Sequence, residues 1–232
     1  MSNLATIIQA LAIVSACWAI ISGIGAWKRE FIGKRKIELA EETLSAFFEI
    51  KDAIAFIRNP WSSGNEGTTR QRATYETESD TQLLNRGYIV FERYESKKDI
   101  FVRFNTLKYK FMAVFGTDTE NIFKETNQSL DSIFISSNML ATHYWKRQGR
   151  VQMERDEFQK HLDEMRKHEG IFWDKYSEND EIRNQLVATQ NELEIVTKPC
   201  FDEPMKTYTI FTKKWFSKML IQKLKPSSQV AK

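Results

Sequence analysis

From Leu4 to Trp27 the chain reads LATIIQALAIVSACWAIISGIGAW, where only Thr6, Gln9, Ser15 and Ser22 are polar and nothing is charged. A helix of these 24 residues runs roughly 36 Å at ~1.5 Å per residue, enough to cross a hydrocarbon core about 30 Å thick. A cleaved signal peptide would start with basic residues, have a shorter apolar run and end in a small-x-small site; Ile24 spoils that site here. An all-apolar soluble core helix of this length would be unusual. The pattern therefore predicts a short outer N-terminus at 1–3, a membrane-spanning helix at 4–27 and a basic juxtamembrane segment at 28–36.

Beyond the span the apolar period becomes that of amphipathic helices. Ile37, Leu44, Phe47, Phe48, Ala55 and Phe56 predict a helix over 34–59, separated from the span by Gly33 or nearly continuous with it. Asn59-Pro60 ends it, because a residue before proline is driven out of the helical region. Residues 60–78, rich in Gly, Ser and Thr, read as a long loop, a kind that is functional or mobile in a compact domain. A stripe from Leu84 through Tyr88, Phe91, Phe104 and Phe111 to Phe115 predicts one helix over 79–115, which at roughly 55 Å would make the bundle elongated. Further helices are predicted at 119–147, at 152–175, and at 178–197, the last capped by Ser177 with Asp180 in the capping box and stopped by Pro199. Residues 204–225 form a basic amphipathic segment, with Tyr208, Phe211, Trp215 and Met219 on one stripe, and 226–232 read as a disordered tail. The fold class is all-α: one N-terminal transmembrane helix followed by an elongated cytoplasmic bundle of five to six helices, its domain covering 37–203.

Charge gives this plan an orientation. The chain carries 34 basic and 31 acidic side chains, a net charge of +3. Lys28, Arg29, Lys34, Arg35 and Lys36 face a single acid, Glu30, just after the span, and the last segment, 204–232, has seven Lys and no acid. The stretch between them, 37–203, is net −8, with 22 basic and 30 acidic residues. Basic residues following a span keep that side in the cytoplasm. The expected location is thus the plasma (inner) membrane of a bacterium, single-pass, with the C-terminal domain cytoplasmic. Trp27, Lys28, Arg29, Lys34, Arg35, Lys36, Lys213, Lys214, Trp215 and Lys218 are the expected membrane-interface residues, facing an anionic inner leaflet. Basic charge confined to the ends of an otherwise acidic domain argues against nucleic acid as a partner. Ser15, Ala19 and Gly23 recur every fourth residue in the span, a face on which two copies could pair as a homodimer. Cys17 and Cys200 have no plausible disulfide between them, and no C-x-x-C pair suggests a thiolate zinc site.

Candidate chemistry is sparse. Gly64-Asn65-Glu66-Gly67-Thr68-Thr69-Arg70 has glycines, hydroxyls and an arginine that could turn toward an anion, yet lacks the strand and the G-K-[ST] ending of a phosphate loop. It reads as a connection or partner-binding loop, with Trp61, Gly64, Glu66, Gly67 and Arg70 as candidate contacts. His161 and His168 share a helix face with Glu157 and Glu164, without the spacing of a dedicated metal site, and read as solvated side chains. His143-Tyr144-Trp145 reads as a helix end packing its rings on a neighbour. No catalytic set, metal or cofactor is indicated. The function expected is a membrane-anchored, non-enzymatic interaction or scaffold module with a protein partner, in a bacterial signalling or defence assembly. The alternatives are a membrane-active effector that uses an oligomerising span and the basic C-terminal helix, and an enzyme whose site is assembled in space.

Overall fold

The computed structural model describes residues 2–202, and among them every regular element is helical. The basic segment 204–225, with Lys213, Lys214, Trp215 and Lys218, and the tail 226–232 lie outside the described residues. Helix α1 covers Ser2–Ile57, α2 Glu78–Glu95, α3 Lys98–Phe115, α4 Glu120–Met139, α5 Arg155–Phe172 and α6 Glu181–Asp202. A 3-10 turn at Thr117–Thr119 precedes α4, and a π-helical turn at Leu140–Tyr144 followed by an α turn at Trp145–Arg147 extends it. Residues 2–40 and 197–202 belong to one compact unit, and Glu41–Val196 form a second.

In the first unit, α1 is long and apolar enough to cross a membrane, with an 18-residue window of mean hydropathy 2.1 that is not buried at all. Its hydroxyls are satisfied within the helix: Ser15 Oγ donates to the Ala12 carbonyl at 2.9 Å and Ser22 Oγ to that of Trp18 at 2.8 Å. Of the two readings at Gly33, separation or near-continuity, the structure has the second: α1 continues unbroken to Ile57.

The second unit is built around phenylalanine. The stripe on the last third of α1, Phe47, Ile50, Ile54 and Ile57, is fully buried. Phe47 meets Phe104 of α3 with centroids 6.0 Å apart, and Phe104 stacks on Phe123 of α4 at 4.6 Å. Phe91 of α2 stacks on Phe134 of α4 at 4.7 Å. Each buried ring removes a large apolar area from water, about 25 cal/mol per Å², and offset or edge contacts add to it. Gly87 lets α2 pack tightly on the end of α4 and the π turn. A Cβ there would stand 2.6 Å from that of Ala141, and the Gly87 carbonyl accepts the Ser137 hydroxyl at 2.5 Å.

Three expectations from sequence are corrected. The predicted helix over 79–115 is two helices. Lys97 N–H bonds the Tyr94 carbonyl three residues back, and the Ser96 hydroxyl takes the Arg93 carbonyl. The serine thus competes for backbone acceptors and closes α2 in a tightened turn. The roughly 55 Å rod on which the elongated shape was argued is therefore a pair of 18-residue helices. The cap of α6 is Asp180 rather than Ser177, since its carboxylate accepts the Arg183 N–H at 2.9 Å. Pro199 does not stop α6, which runs on to Asp202 without the single backbone bond the ring cannot donate.

Candidate functional site

Two buried arginines build the end of α1 and the loop that follows it. Arg58, 2% exposed, lies against Asp180, 0% exposed. Its two terminal nitrogens reach the two carboxylate oxygens at 2.8 Å each. It also donates to the carbonyls of Gly170, Ile171 and Trp173 at the end of α5. Those carbonyls are acceptors that a helix terminus leaves without partners, and a cation there is favoured by the helix dipole. Burial works against an ionised Asp180, but the Arg58 hydrogen bonds and the amides of Arg183 and Lys175 outweigh it and hold the carboxyl below its ordinary value.

Arg93 does the same for the end of α1. It donates to the carbonyls of Ile57 at 3.2 Å and Trp61 at 2.7 Å, to those of Phe56 and Asn59, and to the Glu66 carboxylate at 2.7 Å. Gly67 follows with φ +81 and hydrogen-bonds Glu92 through its N–H. A Cβ at Gly67 would fall 2.0 Å from the Asn85 carbonyl oxygen, so only glycine lets the loop lie this close to α2. Arg70 then pairs with Glu76, one bond at 2.8 Å, while Glu76 also accepts the Ala73 N–H and the Thr81 hydroxyl. The Arg70 hydrogen bonds are the main reason the Glu76 carboxyl is lowered to about 2.

The predicted loop is thus a pinned platform. Glu66, Gly67 and Arg70 are engaged inside it, whereas Gly64 has open space around it. Trp61 is 82% exposed and Tyr75 88%. Beside Trp61 the loop and α2 enclose an open groove of about 500 Å³, lined by Ser62, Ser63, Gln82, Asn85, Arg86 and Trp173 among others. Arg86 lies over the Trp145 ring at 4.3 Å. Its polar lining is the hydroxyls of Ser62, Ser63 and Thr68, the amides of Gln82 and Asn85, the Glu66 carboxylate and the Arg86 guanidinium.

A second cluster gathers all three histidines of the chain around Tyr144, the last residue of the π turn. The Tyr144 ring lies 5.0 Å from His143, 5.6 Å from His161 and 5.2 Å from His168, centroid to centroid. The solvated reading of His161 and His168 is corrected. His161 is 6% exposed, and its Nε2 is the one buried side-chain nitrogen or oxygen without a hydrogen bond among the described residues. His168 is half-buried, with Nδ1 3.0 Å from the Ser136 hydroxyl. Burial lowers the His161 pKa, and the Arg147 and His143 charges add to the effect. No group of three His, Cys, Asp or Glu among the described residues could hold a metal ion.

On α1, Trp27, Lys28, Arg29, Lys34 and Arg35 are exposed and Lys36 is half-buried; Lys34 stands 3.9 Å from Glu38. Ser15, Ala19 and Gly23 are exposed, with nothing near the Gly23 Cα–H face. Sequence reasoning missed Arg58, Arg93 and Asp180. The legible signal was a charge in line with an apolar stripe: Arg93 follows Ile89 and Val90 at helical spacing, where a solvated side chain would be out of register. Comparison with protein-family models, with curated proteins and with solved structures finds no match for this chain.

Proposed function

We propose that this protein is a membrane-anchored, non-enzymatic interaction module whose helical domain holds a protein partner on the cytoplasmic side of a bacterial plasma membrane, within a signalling or defence assembly. The observation that carries this reading is the contrast within the loop at 60–77. Its backbone is fixed by two arginine–carboxylate pairs, yet Trp61 and Tyr75 project almost fully into solvent. Rigid exposed aromatics are the side chains from which protein interfaces draw most of their binding energy, and preorganisation lowers the ordering cost of association. The groove beside Trp61 gives a partner segment room to seat, with Arg86 as a fixed positive contact. The uncharged stretch of α1 up to Trp27, exposed from Thr6 to Ile24, supports the anchor, and its basic flank supports the orientation. Ser15, Ala19 and Gly23 then offer a face on which two spans could meet.

The test is quantitative co-purification from native membranes of wild-type protein and of W61A, Y75A and the double variant. At these exposed positions the folded domain should be unaffected, within about 0.5 kcal/mol. A partner present in constant proportion with the wild type should fall by roughly 30-fold or more in the double variant, the scale of an interface hot spot of about 2 kcal/mol. Equal recovery of the same proteins with all four chains would remove the basis of the proposal.

A further inference from the structure

We infer that the histidine cluster is an acid-sensitive latch: protonation of His161 loosens α5 from the π turn and the adjoining end of α4, while the aromatic core of α2, α3 and α4 stays closed. The argument begins with the orphan nitrogen. A buried imidazole without a partner is tolerable when neutral, because one ring nitrogen is then an acceptor and needs no donor to remain uncharged. Protonation turns both nitrogens into donors and adds a charge, and no acceptor lies within reach of Nε2.

The charges around the ring make protonation harder still. From the π turn and the α turn after it come His143, Tyr144 and Arg147, and Lys146 on the same stretch pairs with Asp80. On α5 itself stand Glu157, Glu164, Lys167 and His168. Glu157, which favours a charged His161, is engaged by Arg147 at 3.0 Å. From α4, Ser136 meets His168, and residues 132–142, the end of α4 and the start of the π turn, carry no charged side chain. A charged His161 would thus be repelled by Arg147 and His143 while only 6% exposed, and separating α5 from the π turn gives it water.

The sign follows from the burial. The closed form holds His161 below its ordinary value of 6.5. The closed form is therefore favoured in full above that pH and progressively less as pH falls toward the lowered value, because the open form takes up the extra proton. The π turn fits the role. Such turns are single-residue bulges in a helix, frequent at functional sites, and this one already places Tyr144 among three imidazoles.

The experiment is hydrogen–deuterium exchange by mass spectrometry on the full chain in lipid nanodiscs, between about pH 7.5 and about pH 5.5, corrected for intrinsic exchange. Peptides over 140–147 and 155–168 should gain exchange on acidification, by up to about tenfold per pH unit for one proton taken up. Peptides over 101–111 and 120–130 should not change. H161F, which keeps a ring and removes the titration, should abolish the acid response, whereas H143Q should retain it. As a check, NMR of the three histidine rings, assigned with H161F and H143Q, should show His161 and His168, both held below the ordinary value by burial, staying neutral below pH 6.5. A latch is ruled out if all three titrate at ordinary values, if the acid response persists in H161F, or if exchange rises uniformly through the domain.

Discussion

At the residue scale, the second unit buries two guanidinium groups where helices end. A buried pair is costly to break because the remaining partner keeps its charge without compensation, an effect of about 3–5 kcal/mol. D180N leaves Arg58 buried against three carbonyls and a neutral amide. It should lower the thermal midpoint of the detergent-solubilised protein by about 10 °C, given roughly 2–4 °C per kcal/mol for a domain of this size. Glu76 gives a separate pH signature. Its folded value of about 2 lies below the ordinary 4.5, chiefly because Arg70 hydrogen-bonds the ionised form. Between those values the unfolded chain binds more protons, so this contribution is complete above about pH 4.5 and drains away as pH falls toward about 2. A pH series of denaturation midpoints should therefore show a shallower acid limb for E76Q than for the wild type. Arg58–Asp180 and Arg93–Glu66 escaped the sequence because they join residues 122 and 27 positions apart, beyond any local period.

At the element scale, helices were legible wherever the apolar period was clear, since a stripe needs only local order to be read. The end of α1 before Pro60 and the loop after it were readable for that reason. The break between α2 and α3 was not: neither Ser96 nor Lys97 carries the glycine or proline that usually marks one, and the hydroxyl of Ser96 that closes α2 is visible only in three dimensions. The loop was recognised by composition, but its rigidity was not. Composition reports the missing stripe and is blind to the ion pairs that replace it. Gly87 shows how packing overrides propensity. In an isolated helix G87A gains up to about 1 kcal/mol. Here the added methyl meets Ala141 at 2.6 Å, and overpacking of that kind costs about 1–3 kcal/mol. G87A should consequently lower the denaturation midpoint, while the double substitution G87A/A141G should recover part of the loss.

At the scale of the whole molecule, the proposed anchor and the folded domain make distinct demands. The chain should resist extraction from membranes by alkaline carbonate, and deletion of residues 2–27 should move it to the soluble fraction. Protease added to inverted vesicles should reach the domain, and protease added to intact spheroplasts should not, as expected if the basic flank stays inside. Recovery of the full-length chain in the soluble fraction would overturn the placement.

The cage around Arg93 has one more consequence, for descent. Its guanidinium requires a carboxylate at 66, a glycine at 67 to bring the loop against α2, and an open backbone at 57–61. None of these requirements depends on which partner the exposed rings meet. Distant kin should therefore vary freely at Trp61 and Tyr75 while retaining Glu-Gly in the loop, arginine near the end of the next helix, and an Arg58–Asp180 pair that changes only in concert. Lineages that diverge in what they bind would thus remain recognisable by how they hold the loop.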